Sequence, residues 1–426
     1  MFDLIAPTPK ADGTFDRAVP LERTLALVPE LRRRFGITRV ADLTYLDRIG
    51  LPVFSCVVPR SPDLLTVYNG KGVTRETALV GAVMEAVERQ VAGHLTLETI
   101  EAVPGTLAGS LDVADLGISP DWESRPIAFV RGYDVLRDDV AFVPRGAVEW
   151  PVLGPRLFAV VTTNGLASGN TLLEAAYHAL FELVERHVWS VSHARAYVRP
   201  HALLTSFADA GSGTFDRVMI DDPIGTAIEM PTGDPTIDGI LARIASCGLT
   251  VRLIAIAEGA LPMTVFATLV EPDAAAPTAH IGLGASWSPV HATLRALTEA
   301  VQSRLTDVQG AREDIVRADD DRPTRFRSHS RRIARLPYGR WHFDGPVAGR
   351  ARLDEFADRS SNDLGEEFRA LLDALRETGV RRAVVVDISP PDVPVCVVRA
   401  IAPDLETMVA DGRIGRTIRD ILGTVR

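Results

Sequence analysis

Cysteine is scarce in this chain, and nothing in the sequence brings the cysteines together. Cys56, Cys247 and Cys396 are widely spaced, and each has apolar residues nearby in the sequence. There is no Cys-x-x-Cys pair and no disulfide framework, which argues against a disulfide-stapled secreted protein or a dithiol redox site. We expect the three thiols to be small buried hydrophobic groups in a protein of the reducing cytoplasm.

Long apolar runs and an excess of basic charge are also missing. No stretch of about 18 apolar residues occurs, so no membrane span is expected. The first residues, MFDLIAPTPKADGTF, lack the basic region and apolar core of a signal peptide. The 46 Lys and Arg against 56 Asp and Glu give a net charge of −10. That balance argues against a nucleic-acid partner, which would need a basic face.

Several familiar catalytic and nucleotide-binding motifs are absent. The sequence contains no G-x-x-x-x-G-K-[ST], no G-x-G-x-x-G and no G-x-S-x-G, and its nine histidines form no H-x-x-x-H pair. We interpret His187 and His291 as helix-surface or packing residues rather than as bases. Any nucleotide site in this chain must therefore be of another kind.

What the chain does contain is one glutamate-bearing pattern written three times, over residues 72–89, 169–186 and 286–303. The positions in register are Thr74, Thr171 and Ser288; Ala78, Ala175 and Ala292; Ala82, Ala179 and Ala296; Glu85, Glu182 and Glu299; and Glu88, Glu185 and Gln302. The i, i+3 spacing places the two polar groups of each copy side by side on a helix.

A single Glu-x-x-Glu-Arg would more often be a solvated helix face with a weak ion pair. Here small apolar residues surround the glutamates, which predicts buried helices whose carboxylates need a compensating charge. Three such helices predict a common centre that holds Mg²⁺ on a polyphosphate. Gly70-Lys71-Gly72, Gly169-Asn170-Thr171 and Gly282-Leu283-Gly284 precede the helices, and we expect turns whose free backbone N–H groups suit anions.

Short apolar runs around each copy predict antiparallel strands, so the repeated unit is strand, turn and helix. This pattern favours an α+β fold with internal repeats. No linker is evident, and we expect one continuous domain over 1–426 with its core in 36–420. Segment 311–336 carries eight arginines. It is interpreted as a solvated loop, with a lid over phosphate or peptide as the alternative.

Four ordered segments resemble the YcaO family of ATP-dependent enzymes that activate peptide backbone amides, over about residues 17 to 420. They are GKGVTRETALVGAVMEAVER; NGLASGN continuing through Glu174, Glu182, Glu185 and Arg186; GLGASWSPVHATLRALTEAVQSR; and VPVCVVRAIAPDLE. The resemblance implies a YcaO-type α+β fold that binds ATP and Mg²⁺. It implies that metal is held by Glu85, Glu88, Glu182, Glu185 and Glu299. The nucleotide contacts it implies are Asn170, Glu174, Arg186, Gln302 and the pair Arg17 and Thr24. Lys71 is an additional candidate for a phosphate.

In the family, a nucleophile adds to a backbone amide carbonyl and the resulting oxygen takes the γ-phosphoryl group of ATP. This chemistry needs no Cys or His nucleophile, so no general base is assigned. The chain leaves no room for a fused leader-binding domain and ends without a proline tail. Those departures favour a stand-alone member that makes thioamides on a peptide or protein substrate with a TfuA-type partner and external sulfur. A homodimer is the expected assembly. The alternatives are an azoline-forming cyclodehydratase and a non-catalytic accessory protein with a relict nucleotide site.

Overall fold

The computed structural model describes residues 4–63, 65–152, 154, 157–158, 161–198, 222–272, 279–311, 343, 345–407 and 413–423. The arginine-rich segment 311–336 lies outside the described residues, apart from Ala311. Within the described ranges, no helix is both long enough and apolar enough to cross a membrane.

Helices and antiparallel strands alternate along the chain. The helices are α1 Leu21–Arg34, α2 Arg75–Ala92, α3 Arg145–Val148, α4 Leu172–His193, α5 Pro235–Ser246, α6 Pro289–Gln309, α7 Leu364–Glu377 and α8 Arg416–Gly423. The strands are β1 Arg39–Asp42, β2 Val53–Val57, β3 Val67–Lys71, β4 Thr99–Ala102, β5 Ile127–Asp134, β6 Asp139–Pro144, β7 Leu166–Gly169, β8 Thr226–Ile228, β9 Thr250–Ile256, β10 Met263–Val270, β11 Ala279–Ser286, β12 Arg350–Ala351, β13 Val384–Asp387 and β14 Cys396–Ile401.

The strands form three sheets, and each sheet ends on a strand that leads into one repeat helix. The orders are β1-β2-β3, then β11-β10-β9-β8-β12, and then β4-β5-β13-β14-β7 with β6 paired to β5. The pairs are antiparallel except β12 with β8. The terminal strands β3, β7 and β11 directly precede α2, α4 and α6. The predicted α+β class with three strand–helix repeats is therefore confirmed.

The three repeat helices begin where the sequence register placed them. Thr74 and Thr171 are the N-cap residues of α2 and α4, and each side chain accepts a hydrogen bond from the backbone N–H three residues on. Ser288 is the N-cap residue of α6 without such a bond. A hydroxyl at this position stabilises a helix start by satisfying an otherwise unpaired N–H group.

The glycines before the helices have another role than the one expected. Gly70 and Gly284 lie inside β3 and β11, so the turns predicted there are wrong. A Cβ atom on Gly70 would lie 2.0 Å from the Ala82 nitrogen, and one on Gly284 would lie 2.3 Å from the Ala292 oxygen. Glycine on the strand and alanine on the helix therefore let each repeat helix pack directly on its own strand. This close approach carries the glutamates, which lie further along each helix, to the same region of the molecule.

Candidate nucleotide site

The acidic half of the candidate site comes from α2 and α4. The Glu88 carboxylate accepts hydrogen bonds from the backbone nitrogen and the hydroxyl of Ser168, at 2.9 and 2.6 Å. The Glu182 carboxylate accepts one from the Gly165 nitrogen at 2.9 Å. Glu85 forms an ion pair within α2, where its Oε1 lies 3.5 Å from Nη2 of Arg89. Because Ser168 belongs to β7, Glu88 of the first repeat reaches the strand of the second.

These carboxylates are not fully compensated by the protein. Burial raises the pKa of Glu88 to about 8, and the charges of Glu85 and Glu182 add to that rise. Burial also raises the pKa of Glu182, with Glu185 adding to the rise and Arg186 opposing it. A buried carboxylate that resists ionisation becomes stable as an anion when a cation binds beside it. This half of the site therefore fits a divalent cation.

The carboxylates do not meet as one cluster. Across the residues that the structure describes, no group of three or more His, Cys, Asp and Glu side chains is arranged to hold a metal ion. Mg²⁺ is usually held by one or two carboxylates together with phosphate oxygens and water. The helix pairs Glu85 with Glu88 and Glu182 with Glu185 match that need, and their metal role stays a prediction.

The basic half lies between α4, α6 and β3. The Glu185 carboxylate accepts from the Ala285 nitrogen at 3.0 Å and has Nη2 of Arg295 at 3.5 Å. Nη2 of Arg186 lies 3.8 Å from the other Glu185 oxygen. Lys71 forms an ion pair with Glu299, whose second oxygen accepts from the Leu283 nitrogen at 3.3 Å. The third-repeat glutamate is thus held by a lysine from the first repeat.

Three cations, Lys71, Arg186 and Arg295, lie in this half beside Glu185 and Glu299. The charge of Glu182 also acts on Arg186, and that of Asp16 on Arg295. Burial acts to raise the pKa of Glu299, but Lys71, Arg186 and Arg295 outweigh it and hold that pKa below its usual value. The Nε atoms of Arg186 and Arg295 are buried and have no hydrogen-bond partner among the described residues. Unsatisfied guanidinium donors fit phosphate oxygens.

The other predicted nucleotide contacts form one cluster around Glu174, which is completely buried. Its Oε1 accepts from the Ala18 and Val19 nitrogens at 2.8 and 2.9 Å. Its Oε2 accepts from the backbone and side-chain nitrogens of Asn170 at 2.8 and 3.2 Å. The Asn170 amide oxygen accepts from the Thr24 hydroxyl at 3.0 Å, and Nη1 of Arg17 lies 3.9 Å from Glu174. The structure therefore brings Arg17, Thr24, Asn170 and Glu174 together, and Glu174 anchors the N-terminal segment.

Gln302 lies apart from that cluster and donates from Nε2 to the Asn69 carbonyl oxygen at 2.6 Å, which ties α6 to β3. Its predicted contact with nucleotide stays a prediction.

Sequence reasoning missed Arg295 and Asp16. Arg295 precedes Glu299 by one helical turn, and that i, i+4 spacing was the available signal. Asp16 Oδ2 lies 3.7 Å from Nδ1 of His178 and 3.9 Å from Nε2 of His291. Burial lowers the pKa of His178 to about 3 and that of His291 to about 4, so both rings are neutral at pH 7. His291 also stacks on Phe15 with ring centroids 4.5 Å apart, which agrees with a packing role.

The raised pKa of Glu88 predicts a pH dependence of stability in the metal-free protein. Below the unfolded value of 4.5 both states hold the proton, and up to about 8 only the folded state keeps it. Rising pH in that window therefore favours unfolding. We expect the urea midpoint measured with EDTA to fall from pH 5 to pH 8, and Glu88→Gln to flatten that fall. Replacing the exposed Glu101 with Gln is the matched control; equal slopes in wild type and Glu88→Gln would contradict the assignment.

Comparison with known proteins agrees with this arrangement. Residues 69–406 match the family model described as YcaO cyclodehydratase, ATP- and Mg²⁺-binding. An uncharacterised protein of Methanothermobacter thermautotrophicus is 34% identical over 95% of this chain and 98% of its own length. An uncharacterised protein in the tfuA 3′ region of Rhizobium leguminosarum bv. trifolii is 32% identical over 96% of this chain and 93% of its own.

Solved structures show the same fold. The structure of YcaO from Methanopyrus kandleri bound with AMPPCP and Mg²⁺ aligns with a TM-score of 0.71 at 24% identity, over 96% of this chain and 98% of that one. A heterocyclase in complex with substrate and cofactor aligns with a TM-score of 0.73 at 17% identity, over 98% of this chain and 56% of that one. The fold and the site define an α+β protein with a nucleotide site of neither P-loop nor Rossmann type. The chain belongs to the YcaO family, which binds ATP and Mg²⁺.

Proposed function

We propose that this protein uses ATP to phosphorylate the oxygen of a peptide backbone amide, and that the product is a thioamide. The observation that carries the proposal is the division of the site into an acidic half and a basic half. Glu88 and Glu182 need a cation, while Arg186 and Arg295 have buried donors that need an anion. Magnesium triphosphate satisfies both needs at once.

The residues would divide the work as follows. The pairs Glu85 with Glu88 and Glu182 with Glu185 would hold Mg²⁺, with Glu299 as a further ligand. The metal, when bound, offsets negative charge on the triphosphate. Lys71, Arg186 and Arg295 would contact phosphate oxygens, and the cluster around Glu174 would contact the rest of the nucleotide. Positioning and charge stabilisation of this kind require no covalent intermediate with the protein.

The reaction balances with hydrosulfide as the nucleophile. Hydrosulfide adds to the amide carbon, and the C–O π pair moves onto oxygen. That oxygen attacks the γ-phosphorus while the bond from phosphorus to ADP breaks. The sulfur then loses its proton and forms the C=S bond as the C–O bond breaks. Hydrogen phosphate leaves with the proton, so the products are ADP, hydrogen phosphate and the thioamide.

Two observations support sulfur from outside the protein. Burial raises the pKa of Cys56 to about 12 and also raises that of Cys396, which disfavours the thiolate needed to carry sulfur. The relative in the tfuA 3′ region is similar over nearly its whole length, which supports a TfuA-type partner. The competing candidate is azoline formation, because the matching family model is that of a cyclodehydratase.

Mass spectrometry of the substrate separates these candidates. The purified protein is incubated with ATP, sulfide, a TfuA-type partner and a peptide encoded beside it. We expect a mass gain from exchange of oxygen for sulfur that depends on both ATP and sulfide. Loss of the mass of one water in the absence of sulfide would show that the product is an azoline and not a thioamide. Binding of MgATP without any substrate-dependent phosphate release would favour an accessory protein with a relict site.

A further inference from the structure

A second polar feature lies behind the acidic half of the site, and its arginine interacts electrostatically with Glu182. Arg399 of β14 is only 5% exposed. One of its terminal nitrogens, Nη2, donates to the Thr162 carbonyl oxygen. Its Nε and Nη1 atoms are buried and have no hydrogen-bond partner among the described residues. Burial lowers the pKa of Arg399 to about 10, so the group remains charged at pH 7.

The amide of Asn164 repeats this pattern beside Arg399. Its Nδ2 atom is likewise buried and has no partner in the described part of the chain. A buried donor without an acceptor costs about 1–3 kcal/mol, and more when it is charged. Two such side chains side by side therefore indicate that an acceptor from outside the described residues completes the site.

Arg399 and Asn164 line one open cleft at the surface. The rest of its wall is mostly apolar and includes Phe158, Val161, Leu183 and Ile401. The wall also includes Thr162, Thr407 and Arg413. A free phosphate would leave its apolar part uncovered. A peptide would cover it, because its side chains are buried there while its carbonyl oxygen accepts from the donors.

The cleft lies next to the predicted metal ligands. Leu183 of its wall directly follows Glu182 on α4. Asn164 directly precedes Gly165, whose nitrogen donates to Glu182 at 2.9 Å. A carbonyl group held by Arg399 and Asn164 would therefore lie close to the carboxylate that is predicted to hold Mg²⁺ on the triphosphate.

We propose that this cleft binds an extended, apolar segment of the peptide substrate, with Arg399 and Asn164 donating to the carbonyl oxygen that becomes phosphorylated. This rests on the proposed function, since it names where the amide of that reaction binds. As the nucleophile adds, the C–O π pair moves onto the oxygen, and its growing negative charge strengthens a hydrogen bond from a guanidinium. Arg399 thus stabilises the oxygen before it attacks phosphorus.

The test uses the full chain and N-acetyl-Leu-Gly-Leu N-methylamide, an uncharged peptide that offers only backbone amides and apolar side chains. Saturation-transfer NMR measures peptide binding with and without AMPPCP and Mg²⁺. We expect Arg399→Met to weaken peptide binding about tenfold, the effect of one hydrogen bond to a charged group. AMPPCP affinity should change less than peptide affinity, since Arg399 acts on the predicted metal site only through the charge of Glu182. Ala147→Phe, which adds bulk to the cleft wall, should weaken peptide binding without touching Arg399.

The matched control is Arg131→Met, since Arg131 is exposed on β5. This variant should bind peptide like the wild type. Because Arg399 interacts electrostatically with Glu182 and donates to the Thr162 carbonyl oxygen, Arg399→Met is expected to lower the thermal midpoint, and its peptide affinity is measured at a temperature where circular dichroism shows the variant to be folded. Equal peptide binding by wild type and Arg399→Met, no binding by wild type, or binding of inorganic phosphate in place of the peptide would overturn the proposal. AMPPCP binding is read separately, so a failure of the proposed ATP site is distinguishable from a failure of the cleft.

Discussion

Glu182→Gln and Glu185→Ala should each lower peptide-dependent phosphate release by at least about 100-fold, the usual effect of removing one group that stabilises charge in a transition state. Glu182 has a raised pKa and a single backbone donor, from Gly165. Its glutamine variant should therefore stay folded and lose only the negative charge. Glu185 accepts from Ala285 and lies beside Arg186 and Arg295. Removing it leaves Arg186 and Arg295 without the carboxylate they share, so the basic half should lose its arrangement as well.

Both variants need a binding measurement beside turnover. The rise of the thermal midpoint with saturating AMPPCP and Mg²⁺ reports binding to the folded state, because a ligand that binds only that state stabilises it. We expect the wild type to show this rise and both variants to show a smaller one. Glu377→Ala, at the exposed end of α7, is the control that should keep full activity. Full phosphate release by both site variants would contradict the assignment of the acidic and basic halves.

Glu174→Ala should give the largest loss of stability, about 3–5 kcal/mol in the free energy of unfolding, as expected when a buried ionic partner is removed. Its two oxygens accept four hydrogen bonds, from Ala18, Val19 and both nitrogens of Asn170. The alanine variant leaves these buried donors unsatisfied and releases the N-terminal segment from α4. Urea unfolding measures the change, provided that the m-value is the same in the variant and the wild type.

Glu22→Ala is the matched control, because Glu22 is exposed in the first turn of α1 and should change stability little. The loss of stability in Glu174→Gln should fall between those of Glu174→Ala and Glu22→Ala. Its amide keeps one acceptor oxygen, but the NH₂ group places a donor where the other carboxylate oxygen accepted hydrogen bonds. A loss below about 1 kcal/mol for Glu174→Ala would mean that water replaces these bonds, and the anchoring role would be wrong.

Local periodicity explains why much of this site was predictable. Thr74, Thr171 and Ser288 begin the three helices as the register required, and Glu85 and Glu182 follow each start at the same distance. The α+β class followed from the same repeats and is confirmed. A helix start and a spacing along one helix depend on residues within a few positions, so a single sequence contains them.

Contacts between distant segments were not predictable in this way. The pairing of Lys71 with Glu299, the position of Arg295 beside Glu185, and Asp16 between two histidines each join different elements. Glycine is typical of turns, yet Gly70 and Gly284 lie in strands. At both positions a helix packs so closely that a side chain would not fit. In the same way, the apolar residues around Arg399 in β14 gave no sign that two of its donors would be unpaired.

The sequence by itself therefore determined three helix starts, the glutamates on them and the family to which the chain belongs. The tertiary structure alone decided that the glutamates divide between an acidic half and a basic half. The physical reason is that ionisation and hydrogen bonding depend on burial and on every charge nearby, whichever part of the chain supplies it. Burial raises the pKa of Glu88, and the charge of Glu182 on another helix adds to the rise. Lys71 of β3 opposes burial and lowers the pKa of Glu299 on α6. These charged groups come close to one another only once the three sheets have packed together.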